Sequence, residues 1–146
     1  MAVKPIPDGY HNVTPCLLVR GAAQLIDFMK DVFGAEEKER VPSSGRIMHA
    51  EVTIGDSVVM LSDAFGEYEP MPAVLYVYVE DVDAVYKRAL EAGATPVRGP
   101  EDAFWGDRHA QVKDAFGNLW WMGTHVEDVS MEELKRRLEE MMVRQA

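Results

Sequence analysis

A single cysteine, Cys16, is all the thiol chemistry available to this chain. It excludes an intrachain disulfide and fits a reducing cytoplasm. Set between Pro15 and Leu17 with no basic neighbour, Cys16 reads as a small core residue rather than an activated thiol. No run of eighteen apolar residues exists, so no transmembrane helix is expected. Residues 1–9, with Pro5 and Pro7, lack the charged-then-apolar layout of a secretory leader. Positive charge is scarce as well: 15 Lys and Arg stand against 25 Asp and Glu, a formal charge of −10. That balance argues against nucleic acid and anionic membranes as partners, because phosphates need clustered Lys and Arg. It suits a cationic ligand, or simply a solubilising surface. The Gly-x-Ser-x-Gly elbow, the phosphate-cradling Gly-rich loop with a following Lys, and Cys-x-x-Cys are all missing.

What is present is enough apolar material for one real core, 47% of 146 residues, arranged as a repeat. Val19 and Val79 end two similar strands, Gly34 and Gly93 close two helices, and Gly55 and Gly117 mark two turns. These pairs are separated by 60, 59 and 62 residues. Matched punctuation at near-constant spacing predicts two like units that bury a shared core, with a cleft between them as a natural ligand site.

Within the first unit, His11–Val19 reads as a strand and Ala22–Phe33 as a helix with Leu25, Ile26, Met29, Val32 and Phe33 on one stripe. Strands are expected over Glu36–Val41, Ile47–Ile54 and Ser57–Ser62. Alternation in the second of these places Met48, Ala50, Val52 and Ile54 on one face, and His49 and Glu51 on the other. Ala64–Pro72 reads as the linker. The second unit repeats the plan: a strand Ala73–Val79, then a helix capped by Asp81 with Val82, Val85, Tyr86, Ala89 and Leu90 on its stripe. A short strand Thr95–Arg98, a loop Gly99–Gly106, and strands Asp107–Lys113 and Asn118–Thr124 complete it. Ser130-Met131-Glu132-Glu133 has the spacing of a capping box for a last helix carrying Met131, Leu134, Leu138 and Met141. The fold class is α+β: two βαβββ units forming a curled mixed sheet around a central cavity, plus a C-terminal helix. Residues 1–10 read as an extension, 11–125 as the domain (units 11–63 and 73–125), and 126–146 as the C-terminal helix.

Several segments sharpen this pattern: Arg46-Ile47-Met48-His49-Ala50-Glu51, Tyr78-Val79-Glu80-Asp81-Val82-Asp83, Trp105-Gly106-Asp107-Arg108, Asp114-Ala115-Phe116-Gly117 and Thr124-His125-Val126-Glu127-Asp128-Val129. Over residues 11–125 the chain resembles the vicinal oxygen chelate superfamily, which includes glyoxalase I, extradiol dioxygenases and bleomycin-resistance proteins. The segments are similar to its PhnB-like, glyoxalase-like branch. The resemblance implies a homodimer, sometimes with exchanged strands or units. It also implies metal-ligand positions at Thr14, Met60, Val74 and Trp121. A divalent ion needs imidazole or carboxylate donors, which these four do not supply. The family's metal is therefore expected to be absent, and no cofactor is expected.

If those four positions face inward, strand alternation brings Cys16, Leu18, Val58, Ser62, Tyr76, Tyr78 and Leu119 to the same surface, with His49, Glu51, His109, Gln111 and Lys113. Tyr76, Tyr78, Trp121 and Trp105 then supply aromatic walls, and His49, Glu51, His109 and Gln111 a few polar groups. Apolar walls with sparse polar groups are the usual make-up of a small-molecule site. Three readings stay open. One is a protein binding a small aromatic or cationic organic molecule at Tyr76, Tyr78, Trp105, His109, Gln111 and Trp121. Another is a lyase, isomerase or dioxygenase using His49 and Glu51 as an acid–base pair, or a displaced metal held by His49, Glu51 and His109. The third is a non-catalytic dimer scaffold. His49 and Glu51 also have the plain option of bonding each other, Asp107 and Arg108 that of a structural ion pair, and His11 and His125 that of surface or capping residues.

Overall fold

A computed structural model describes residues 2–145 of the chain. The first unit runs β1 (Cys16–Val19), α1 (Ala22–Phe33), β2 (Glu36–Ser43), β3 (Arg46–Ile54) and β4 (Ser57–Asp63). The second runs β5 (Val74–Tyr78), α2 (Val82–Glu91), β6 (Thr95–Asp102), β7 (Asp107–Lys113) and β8 (Leu119–His125), and α3 (Met131–Gln145) follows. Each unit makes one mixed four-stranded sheet, ordered β1-β4-β3-β2 and β5-β8-β7-β6, with a single parallel pair in each. The two βαβββ units are as the repeat implied. The expected single sheet curled about a cavity is instead two separate sheets, because β1 and β5 are each an edge and do not pair with each other.

The helices explain that arrangement. α1 buries Leu25, Ile26, Met29 and Val32, and α2 buries Val82, Val85 and Ala89. Leu17, Val19 and Leu61 from one sheet, and Val112, Trp120 and Met122 from the other, join the same cluster. Trp120 of β8 meets Phe28 and Phe33 of α1, with ring centroids 6.1 and 5.1 Å apart. Arg88 of α2 donates to the Val32 carbonyl of α1 at 3.1 and 3.3 Å. The helices thus share one core with the inner sheet faces, and the opposite face of each sheet turns outward.

Both helix starts are held from the end of a strand. Gly21 has no side chain to cap α1, so Asp63 accepts from the Gly21 and Ala22 N–H groups at 2.9 and 2.8 Å. Its other oxygen takes the Ile47 N–H at 2.7 Å. In the second unit Asp81 caps Ala84 at 3.2 Å, and the Thr124 hydroxyl accepts from Val82 N–H at 2.9 Å. Ser130 accepts from Glu133 N–H at 3.2 Å, as the capping-box spacing implied. α3 buries none of its described residues; Arg137 pins it through Glu127 and the Phe104 carbonyl. No helix among the described residues is long and apolar enough to cross a membrane.

Some expectations fail for local reasons. β1 starts at Cys16 and not His11, since Pro15 has no N–H to give a ladder. β6 extends to Asp102, well past Arg98, because register shifts let Glu101 pair with His109. In β3 the alternation slips near the shift between Val41 and Pro42. Ile47, not Met48, joins the core, and Met48 turns outward. Cys16 is exposed rather than core, because Leu17 and Val19 are the β1 side chains facing the helices.

Candidate functional site

The outward face of the first sheet gathers an acidic cluster around one imidazole. Glu39 on β2 and Glu51 on β3 are register partners, and Glu51 is in turn paired with Met60 of β4. His49 lies two residues before Glu51 on the same face. Its Nε2 donates to Glu51 Oε2 at 2.9 Å and stands 4.0 Å from Glu39 Oε2. One donor atom from each of the three lies within 4.8 Å of the others. Tyr10 reaches in from the N-terminal segment and donates its hydroxyl to Glu51 Oε1. That bond, working against burial and helped by Glu39 and His49, holds the Glu51 carboxyl down at about 2. The closeness of Glu51 lifts Glu39 above the ordinary carboxylate range, since two adjacent carboxylates resist ionising together.

The outward face of the second sheet is aromatic and organised by Asp107, which is 1% exposed. Its Oδ2 accepts from the Tyr76 hydroxyl at 2.7 Å, the Tyr78 hydroxyl at 2.9 Å and Trp105 Nε1 at 2.9 Å. Its Oδ1 takes His125 Nδ1 at 2.9 Å, while His125 Nε2 meets Asp128 at 2.7 Å. Burial pushes Asp107 up, but these donors outweigh it and the carboxyl sits below its usual value. Burial and then the Asp107 bond push Tyr76 up, whereas for Tyr78 the Asp107 bond leads. Tyr76 stacks on His109 at 5.5 Å, and Trp121 stands edge-on to both. His109 is 2% exposed, and burial followed by the Arg98 charge keeps it neutral-leaning. Among the described residues, His109 Nε2 and Trp121 Nε1 are buried without partners.

The expected site residues therefore fall into two groups that one chain does not bring together. Tyr76, Tyr78, Trp105, His109 and Trp121 form one, and Gln111 joins that face as the register partner of Trp121. His49 and Glu51 form the other, on the far sheet. The third member of their cluster is Glu39, not His109, because β2 and β3 pair across a register shift that periodicity does not reveal. Asp107 does not pair with Arg108: neighbours on a strand point to opposite faces, and Arg108 goes to Asp83 and Asp102. His125 is on the surface as expected, and it is also fixed between Asp107 and Asp128. Glu39, Tyr10 and Asp107 were the residues missed. The one signal available was Asp107's place before Arg108 in a Trp-Gly-Asp-Arg segment.

Thr14, Met60, Val74 and Trp121 split in the same way, and between them offer a hydroxyl and a thioether as the only plausible donors. That set does not fit the family's divalent ion. Two hollows remain. One of about 480 Å³ lies on the outer face of the first sheet and is lined by Cys16, Leu18, Met48 and Ser62 with Phe65, Tyr68 and Met71 of the linker. The other, about 920 Å³, runs along β5 between the units and is lined by Leu75, Tyr76, Val77 and Tyr78 together with Phe33 and Trp120. Asp56, Glu80 and Asp81 also line it, with Arg88.

The Glyoxalase/Bleomycin resistance protein/Dioxygenase superfamily model matches residues 11–122. An uncharacterized protein of Mycobacterium bovis is 38% identical over 135 residues, 84% of this chain and 89% of the relative. Among solved structures, TioX from Micromonospora sp. ML1 superposes with a TM-score of 0.67 at 28% identity, covering 79% of this chain and 100% of that one. A putative 3-demethylubiquinone-9 3-methyltransferase, PhnB protein, from Bacillus cereus shares the fold at TM-score 0.64 and 15% identity, covering 78% and 99%. The chain belongs to the Glyoxalase/Bleomycin resistance protein/Dioxygenase superfamily.

Proposed function

We propose that this member of the Glyoxalase/Bleomycin resistance protein/Dioxygenase superfamily binds a small aromatic or cationic organic molecule against β5, without the family's metal. The observation that carries the reading is the tethering of Tyr76 and Tyr78 to Asp107 beside a cleft of about 920 Å³. With their hydroxyls fixed, the rings are pre-oriented and lose little freedom when a ligand stacks on them. Tyr78 is 64% exposed, so its face is available. Asp56, Glu80 and Asp81 outnumber Arg88 in the lining and favour a positive charge, and stacking and cation–π contacts would each contribute on the order of 0.5–2 kcal/mol.

The same reading assigns the chain to the PhnB-like branch, on the segments around Arg46–Glu51 and Asp114–Gly117, and to the cytoplasm. It also takes the working form to be a homodimer. β5 is an unpaired sheet edge, and Val74 on it is exposed apolar surface of the kind a second copy covers. Light scattering after size exclusion should give a dimer mass; a monomer at micromolar concentration removes that part of the reading.

Binding is tested by thermal shift and tryptophan fluorescence with acridine, benzyltrimethylammonium and the neutral analogue neopentylbenzene. A ligand of the native state raises the midpoint by mass action. Benzyltrimethylammonium is expected to outperform its neutral analogue, and Tyr78→Ala to weaken it. No shift with any probe at high excess, or equal binding by Tyr78→Ala, refutes the proposal.

A further inference from the structure

Glu51 is 5% exposed, and among the described residues no Lys or Arg nitrogen lies within ion-pair distance of it. Lys38 stops short at Tyr10, with its Nζ 4.5 Å from the ring centroid and 3.4 Å from the hydroxyl. Its charge is held by the Tyr10 hydroxyl and the His49 ring, while the neighbouring Glu39 carboxylate repels it, so a cation placed among the three is favoured. The groups that do converge are an imidazole nitrogen and two carboxylates, the donor types zinc takes. We propose that Glu39, His49 and Glu51 bind one divalent transition-metal ion, zinc in preference, on the outer face of the first sheet.

The geometry supports this directly. Donors around a four-coordinate zinc with bonds of about 2.0 Å sit about 3.3 Å apart. His49 Nε2 is 2.9 Å from Glu51 Oε2 and 4.0 Å from Glu39 Oε2, so modest side-chain rotations bring the three onto one ion. All three come from adjacent strands, which fix their spacing better than a loop would. Tyr10 occupies Glu51 Oε1 and leaves Oε2 turned toward His49, the kind of outer bond that orients a metal ligand. The ion replaces the hydrogen now shared between His49 Nε2 and Glu51 Oε2. Glu39 and His49 are partly exposed, which leaves the remaining coordination position open to solvent. The site lies one strand over from Met60, the position that the family resemblance marks, and it does not depend on the ligand reading of β5.

Untagged protein stripped with chelator and dialysed against zinc, or in parallel manganese, tests the proposal by elemental analysis. One zinc per chain is expected to survive gel filtration, with manganese held more weakly. His49→Ala and Glu39→Gln should each weaken zinc binding by about tenfold or more. The second variant alters an exposed side chain and keeps the test meaningful if the first misfolds, with circular dichroism checking both. In ring-proton spectra, zinc should move the His49 resonances and leave those of His11, His109 and His125 in place. Zinc no higher than in the dialysis buffer, a folded variant binding as tightly as the parent, or movement of another histidine instead overturns it.

Discussion

Tyr76 lies across Gly123. A Cβ built at position 123 would collide with the Tyr76 hydroxyl and stand 3.0 Å from Cζ and 3.1 Å from Cε1, tighter than nearly all real side-chain contacts. The missing side chain on β8 is what lets the Tyr76 ring cross to Asp107 and stack on His109. Gly123→Ala should therefore displace the ring and cost about 1–3 kcal/mol, the usual range for overpacking. Urea unfolding measures it, and the penalty should shrink in a Tyr76→Ala background, because coupled neighbours are not additive. An equal penalty in both backgrounds means the two residues do not collide.

Asp114 is the corresponding keystone of the β7–β8 turn. Its Oδ1 accepts from the Phe116 and Asn118 N–H groups, and its Oδ2 from Asn118 Nδ2 and Trp120 Nε1. Asn118 passes the constraint on by accepting from Ala73 N–H at 2.9 Å, at the start of β5. Asp114→Ala strands the indole N–H of the fully buried Trp120 and should cost about 3–5 kcal/mol. A melting temperature within a degree or two of the parent would contradict that.

Acid sensitivity should trace in part to Asp107 and Asp63. Burial pushes both carboxyls up, yet their hydrogen bonds win and both sit below the usual value. A depressed folded value means the stabilisation is fully present above the unfolded pKa of about 3.9 and is lost as pH falls through the folded one. Unfolding free energy should thus decline from about pH 4 downward, and less steeply in Asp107→Asn. A decline as steep in the variant as in the parent excludes Asp107 as a contributor.

His125 should titrate above the ordinary histidine value, with Asp128 the larger cause and Asp107 the second. The protonated ring is the favoured form. Its contribution is therefore present below about pH 6.5 and disappears as pH rises through the raised folded value. Ring-proton titration by NMR should show the elevation and its partial loss in Asp128→Asn. An unchanged midpoint in that variant would mean the exposed Asp128 carboxylate is screened out.

The local grammar of the chain was legible because it depends on near neighbours. The stripe Leu25, Ile26, Met29 and Val32 announces α1 and is buried as expected, and Asp81 and Ser130 cap as their spacing implies. Alternation also brought Cys16, Leu18 and Ser62 to one outward hollow. It failed at Met48, where an extra residue in the ladder reverses the side-chain face, a slip with no mark in hydrophobic pattern.

By itself the sequence determined the two βαβββ units, their helix faces, and the lack of imidazole or carboxylate at Thr14, Met60, Val74 and Trp121, since residue identity and periodicity are local properties. Only the tertiary structure decided that Glu39 joins His49 and Glu51, and that one carboxylate, Asp107, gathers Tyr76, Tyr78, Trp105 and His125. It also decided that these two clusters lie on opposite sheets. Such groupings are set by strand register and by which faces the shared helices cover, and both depend on pairings between residues distant along the chain.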